Sequence, residues 1–95
     1  CVVARLGVRW DECFFWATHA GAELDLMVVR GKRREGFEFK YSDAPRLTAS
    51  MTTAVKSLKL DALHIIHPGE KSWPVAGRIR ALALPDLYRV LKPWR

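Results

Sequence analysis

Hydrophobic and polar positions alternate with a period of two through Glu23–Arg30 (ELDLMVVR) and again through Glu35–Lys40 (EGFEFK). That period marks β-strands with two unlike faces. In the first stretch Leu24, Leu26 and Val28 fall on one side; Glu23, Asp25, Met27 and Val29 fall on the other. In the second, Phe37 and Phe39 share a side and read as core, while Glu38 and Lys40 share the opposite one. The polar stretch Gly31-Lys32-Arg33-Arg34 opens with a turn residue, so the two strands are expected to form a hairpin.

Cys13–His19 (CFFWATH) is apolar on both alternating sides, which predicts a largely buried strand ending at the Ala20-Gly21 turn. Phe14, Phe15, Trp16 and Trp73 are expected to serve the core rather than stack on bases. The sheet breaks at Asp43-Ala44-Pro45. Thr48 or Ser50 can cap a helix to about Leu58, with Met51, Ala54, Val55 and Leu58 as its buried stripe. Leu63–His67 predicts a further strand, Glu70–Pro74 a loop and Ile79–Leu84 a short last strand. Pro85 suits the first turn of a helix from about Asp86 to Leu91. His64 and His67, three apart in a strand, point to opposite faces and make poor partners for one metal. The expected class is α/β: a three-stranded antiparallel meander, then a helix that returns the chain for a parallel strand, then further strands.

The 95 residues, 49% hydrophobic and 27% charged, suit a single domain over 1–95. No apolar run is long enough for a membrane helix. Cys1 and Cys13 have neither metal-ligand nor scaffold spacing, and an inert Cys13 thiol in a cytoplasmic protein is expected. The chain does not begin with Met, so it reads as a fragment of a longer protein. A net charge of +6 is compatible with a polyanionic partner such as DNA.

Asp25, Glu38 and Lys40 carry the candidate chemistry. The hairpin brings Asp25 beside Glu38, and period two sets Glu38 and Lys40 side by side. Crowded carboxylates are relieved by a hard divalent ion, Mg²⁺ or Mn²⁺, for which the Phe39 carbonyl could be a further ligand. Glu23 could extend the acidic cluster. Such an ion activates water and offsets phosphate charge, and a neighbouring lysine assists. The bland alternative is a solvated sheet face with a weak Lys–carboxylate pair. Lys32, Arg33 and Arg34 at the hairpin tip are candidate phosphate contacts.

The string Phe15-Trp16-Ala17-Thr18-His19-Ala20-Gly21-Ala22-Glu23-Leu24-Asp25-Leu26, with Phe37-Glu38-Phe39-Lys40, resembles the C-terminal domain of bacterial and archaeal AAA-type ATPases. That domain is similar to the PD-(D/E)XK nuclease and Holliday-junction resolvase fold, also called restriction-endonuclease-like. The resemblance runs from about Arg9 to Leu91. It implies a metal-dependent deoxyribonuclease site at Asp25, Glu38 and Lys40, and a partner in the ATPase module that precedes such domains. The chain has no Gly-x4-Gly-Lys-Ser/Thr loop, so ATP binding is not expected of it. Two departures stand out: no proline precedes Asp25, and the acid-bearing N-terminal helix of the nuclease fold looks truncated or absent, with only Asp11 and Glu12 acidic before the first strand. Two rival functions stay open. One is an inactive module that binds DNA or protein for the ATPase. The other is an oligomerisation domain that uses exposed aromatics such as Trp94.

Overall fold

A computed structural model describes residues 2–18, 21, 23–42 and 44–94. The order is helix α1 (Val2–Leu6), a 3₁₀ turn (Trp10–Glu12), strands β1 (Cys13–Ala17), β2 (Glu23–Arg30) and β3 (Arg33–Phe39), and helix α2 (Ala49–Leu58). Strands β4 (Ala62–His67), β5 (Trp73–Ala76) and β6 (Ile79–Ala83) follow, then a 3₁₀ turn (Leu84–Asp86) and helix α3 (Leu87–Val90). The result is a mixed α/β fold with one six-stranded sheet in the order β1-β2-β3-β4-β6-β5. The first three strands form the expected antiparallel meander, and β3, β4 and β6 run parallel. No helix among the described residues is long and apolar enough to cross a membrane.

Each face of the sheet buries its own core. Val28, Phe37, Ile66 and Leu82 pack under Val2 and Leu6 of α1, Leu87 of α3, and Leu91 and Trp94 of the tail. Leu24, Leu63, Ile65 and Ile79 pack under Met51 of α2 and Leu60. Thr48 caps α2 by accepting the Met51 N–H at 3.2 Å, as its sequence signal predicts. Gly36 permits the close packing of α2's end on β3: a Cβ there would lie 2.9 Å from Leu60 Cδ1 and 3.0 Å from Leu24 Cδ2.

Several expectations change. β1 is an edge strand rather than a buried one, and Phe15 is 80% exposed with Phe14 beside it. Apolar composition there reflects β-propensity without burial. Phe39 is also exposed, because neither core reaches the end of β3. Trp94, expected on the surface, is 5% exposed and sits in the first core. Residues Trp73–Ala76, expected as loop, pair antiparallel with β6 at the sheet's other edge, where Pro74 is tolerated. A helix does precede β1, but its sequence VVARL holds no acid. His19, Ala20 and Asp43 lie outside the described residues.

The sheet also departs from strict alternation in β2. Cys13 pairs with Val28 and Phe14 with Met27, yet Trp16 pairs with Leu24. One residue of β1, Phe15, therefore faces two of β2, Asp25 and Leu26, which is a β-bulge. Leu24 consequently joins the α2-side core with Met27, while Leu26 and Val28 join the other. The uniform facing of Leu24, Leu26 and Val28 expected from the sequence does not hold.

Candidate functional site

The bulge places Asp25 at the one irregular step of β2, opposite the end of β3. Its Oδ2 accepts the Phe39 N–H at 2.8 Å. In extended backbone a residue's N–H and C=O leave the strand on the same edge. The Phe39 carbonyl therefore shares the edge that Asp25 meets. Glu23, at the start of β2, is held by α2: Ser50 Oγ accepts the Glu23 N–H at 3.0 Å and donates to the Glu23 carbonyl at 3.3 Å.

Glu38 follows the α2-facing side of β3 set by Gly36, and it is only 5% exposed. A solvated sheet face is thus the wrong description of this carboxylate. It accepts no hydrogen bond within 3.5 Å from any described residue, and its one ion pair, to Lys40 Nζ, is 3.9 Å long. Burial pushes its pKa above the ordinary carboxylate value; Lys40 opposes that rise, and Asp25 and Glu23 add to it. Asp25, Glu23, Glu38 and Lys40 therefore share one electrostatic environment. A buried carboxylate short of donors and crowded by like charge is the kind of group that a cation stabilises. Among the described residues, no three His, Cys, Asp or Glu side chains stand close enough to form a metal cluster by themselves.

The basic hairpin tip does not join this group. Arg33 and Glu38 are five residues apart along β3, about 17 Å at strand rise. Arg33 Nε pairs with Glu35 at 2.9 Å and its guanidinium lies 3.9 Å over the Trp94 ring. Arg34 donates to the Leu58 carbonyl, so that among the described residues Lys32 is the tip cation whose side chain has no acceptor. Beyond the carboxyl ends of β3 and β4 lies a cavity of about 860 Å³ lined by Tyr41, Ser42, Gly69, Glu70, Lys71 and Trp73, next in sequence to Lys40 but not lined by Asp25, Glu38 or Lys40. Open α/β sheets commonly bind ligands beyond the carboxyl ends of their strands.

Glu12, one of the two acids before β1, is not available to the site. Arg30 grips it twice, at 2.8 and 2.9 Å, and also donates to the Trp94 carbonyl. Those bonds, with the Arg9 N–H, hold the Glu12 carboxyl down to about 2. Cys13 is half-buried, and burial raises its thiol pKa, in line with an inert role. His64 and His67 do face opposite sides. His64 stacks on Phe37, and His67 lies against Trp73.

A second polar row escaped the sequence reading. Glu35, His64 and Arg80 sit on β3, β4 and β6 under α1 and α3. The bond His64 Nε2 to Glu35 Oε1 is 2.7 Å, and Arg80 Nε donates to His64 Nδ1 at 2.8 Å. Alternation alone places Arg33, Glu35 and Phe37 on one side of β3, but no local signal ties Glu35 to residues 29 and 45 positions away.

Residues 3–87 match the sequence profile of a family described as a domain of unknown function, DUF4143. The chain is also 38% identical over 92 residues to an uncharacterised protein of Mycobacterium tuberculosis (strain H37Rv), and equally to one of Mycobacterium bovis. The matched region is 82% of this chain and 21% of each relative, so the chain spans about a fifth of their length. No solved structure matches it.

Proposed function

This chain belongs to the DUF4143 family, and we propose that it is a PD-(D/E)XK-type nuclease-like domain that serves an AAA-type ATPase and acts on DNA. One observation carries the reading: a bulge turns Asp25 onto the end of β3, beside a buried, donor-poor Glu38 and Lys40. The succession helix, antiparallel meander, crossover helix and parallel strand supports the restriction-endonuclease-like core that the resemblance implies. The greater length of the mycobacterial relatives is compatible with a separate ATPase module in such proteins.

The donor set suits a hard cation. Mg²⁺ is commonly held by one or two carboxylates, with water and phosphate oxygens completing its shell. Asp25, Glu38 and the Phe39 carbonyl would hold Mg²⁺ or Mn²⁺, and Glu23 would add negative field. When bound, the ion would acidify a water and offset charge on a phosphodiester. The chain's own groups do the rest. The Phe39 N–H fixes the Asp25 carboxylate. The Lys40 ammonium orients the attacking water or hydrogen-bonds the developing phosphoryl charge. The water oxygen bonds to phosphorus, the bond to the leaving oxygen breaks, and a proton passes to that oxygen. Tyr41 and Lys71, which line the cavity beyond the strand ends, would stack on a base and contact a phosphate.

The test is incubation of the protein with Mn²⁺ and single-stranded, duplex and branched DNA. Cleavage is expected, with loss on the order of 10²-fold or more in Asp25→Ala and Glu38→Ala. A second reading, a DNA-binding module without cleavage, is favoured by two facts: α1 carries no acid, and Glu12 is held by Arg30. Salt-dependent DNA binding that ignores Glu38→Ala, with no cleavage of any form, would select it.

A further inference from the structure

We propose that the cavity on the α1/α3 side of the sheet is a binding site for a small phosphate monoester, held by Arg80 and Arg33. This open cleft of about 730 Å³ lies where β4 and β6 begin, and its volume is within the usual size for small-molecule sites. It lies on the other face of the sheet from Glu38 and at the opposite end of β3. It does not depend on the metal reading.

The site is built on a buried hydrogen-bonded row. His64 is 2% exposed, and both its ring nitrogens are engaged. Arginine can only donate, so His64 Nδ1 is the acceptor and the ring hydrogen sits on Nε2, donated to Glu35. Arg80 is thereby held through Nε alone. Its Nη1 and Nη2, the planar fork that matches phosphate oxygens, donate to no described residue. Arg33 is arranged likewise. Glu35 takes its Nε, Trp94 supports its face, and its outer nitrogens have no protein acceptor among the described residues.

Charge sets the class of ligand. Arg33, Arg78, Arg80 and Lys92 line the cavity against Glu35 and Asp61, leaving two more positive charges than negative. Both acids already have partners: Glu35 serves His64 and Arg33, and Asp61 accepts the Arg34 N–H. Among the described residues no carboxylate lies within ion-pair distance of Arg80. Two surplus cations call for a compact dianion, which a phosphate monoester is and a phosphodiester is not. The apolar wall of Trp94, Leu91 and Val90 would take the organic part of the ester.

The protein is titrated with inorganic phosphate, AMP and a dinucleotide phosphodiester, reading heat and the Arg80 Nε–Hε resonance. AMP should bind, shift that resonance and exceed both free phosphate and the dinucleotide in affinity. Free phosphate binding as tightly as AMP would overturn the assignment of an ester site. Arg80→Gln should weaken AMP by about tenfold or more, and Asp25→Ala should leave it unchanged. Equal AMP binding by Arg80→Gln, an unmoved Arg80 resonance, or a dinucleotide as tight as AMP would overturn the proposal. Should Arg80→Gln fail to fold, the exposed Lys92→Gln decides: severalfold weakening supports the site, and no change overturns it.

Discussion

Glu35 and Glu38 lie three residues apart on one strand, both are largely withdrawn from water, and they meet opposite fates. Burial raises the pKa of each carboxyl. At Glu35 the bonds from His64 and Arg33 outweigh burial and bring the group below the ordinary value. At Glu38 a single ammonium 3.9 Å away does not, and two further carboxylates add to the strain. One acid is a finished structural anchor; the other is left short of positive charge. Burial by itself therefore does not distinguish an anchor from a site. The supply of donors does.

The largest effect should come from breaking the finished row. Glu35→Ala leaves His64 and Arg33 without their acceptor, and a loss of about 2–4 kcal/mol is expected from urea unfolding. If the loss is under about 0.5 kcal/mol, as at an ordinary surface position, the contrast with Glu38 fails.

A smaller effect of opposite sign is expected at Glu38. Glu38→Gln removes a buried, poorly compensated charge, so the metal-free protein should gain on the order of 1 kcal/mol at neutral pH. If the proposed metal site forms, Mn²⁺ should raise the melting temperature of the parent, and the same variant should lose that rise. A variant that Mn²⁺ still stabilises would remove Glu38 from the proposed metal site.

The pH profile sharpens the same contrast. A depressed acid stabilises above its unfolded value, and that contribution fades as pH falls through the folded one. Glu12 and Glu35 should thus withdraw stability as pH drops below the ordinary 4.5, and Glu12 continues to do so down to about 2. Glu12→Gln should flatten that acid limb. Glu38, with a raised value, costs stability when ionised. Mild acidification towards 4.5 should relieve that cost, and Glu38→Gln should abolish the gain. Unfolding midpoints measured across pH for the three proteins check both signs.

Much of the architecture is legible in local chemistry. The meander, the capped α2, the parallel return to β4 and the turn at Pro85 follow from period, capping and turn residues. The candidate site is legible in part. Period two alone places Glu38 beside Lys40, but Asp25 reaches β3 through a bulge that no glycine or proline announces. The exposure of Phe14 and Phe15 and the burial of Trp94 were illegible, because composition records how apolar a residue is and not whether another element covers it.

The amino-acid order by itself determined five of the six strands, the helix α2 and the class of fold, since each depends on neighbours a few positions away, whereas β5 forms only because β6 pairs with it. Only the tertiary structure decided which acids are satisfied. Glu12 meets Arg30 across 18 positions, and His64 meets Glu35 across 29 and Arg80 across 16. The strength of a buried charge depends on donors brought from distant strands, and those distances exist only once the sheet has closed.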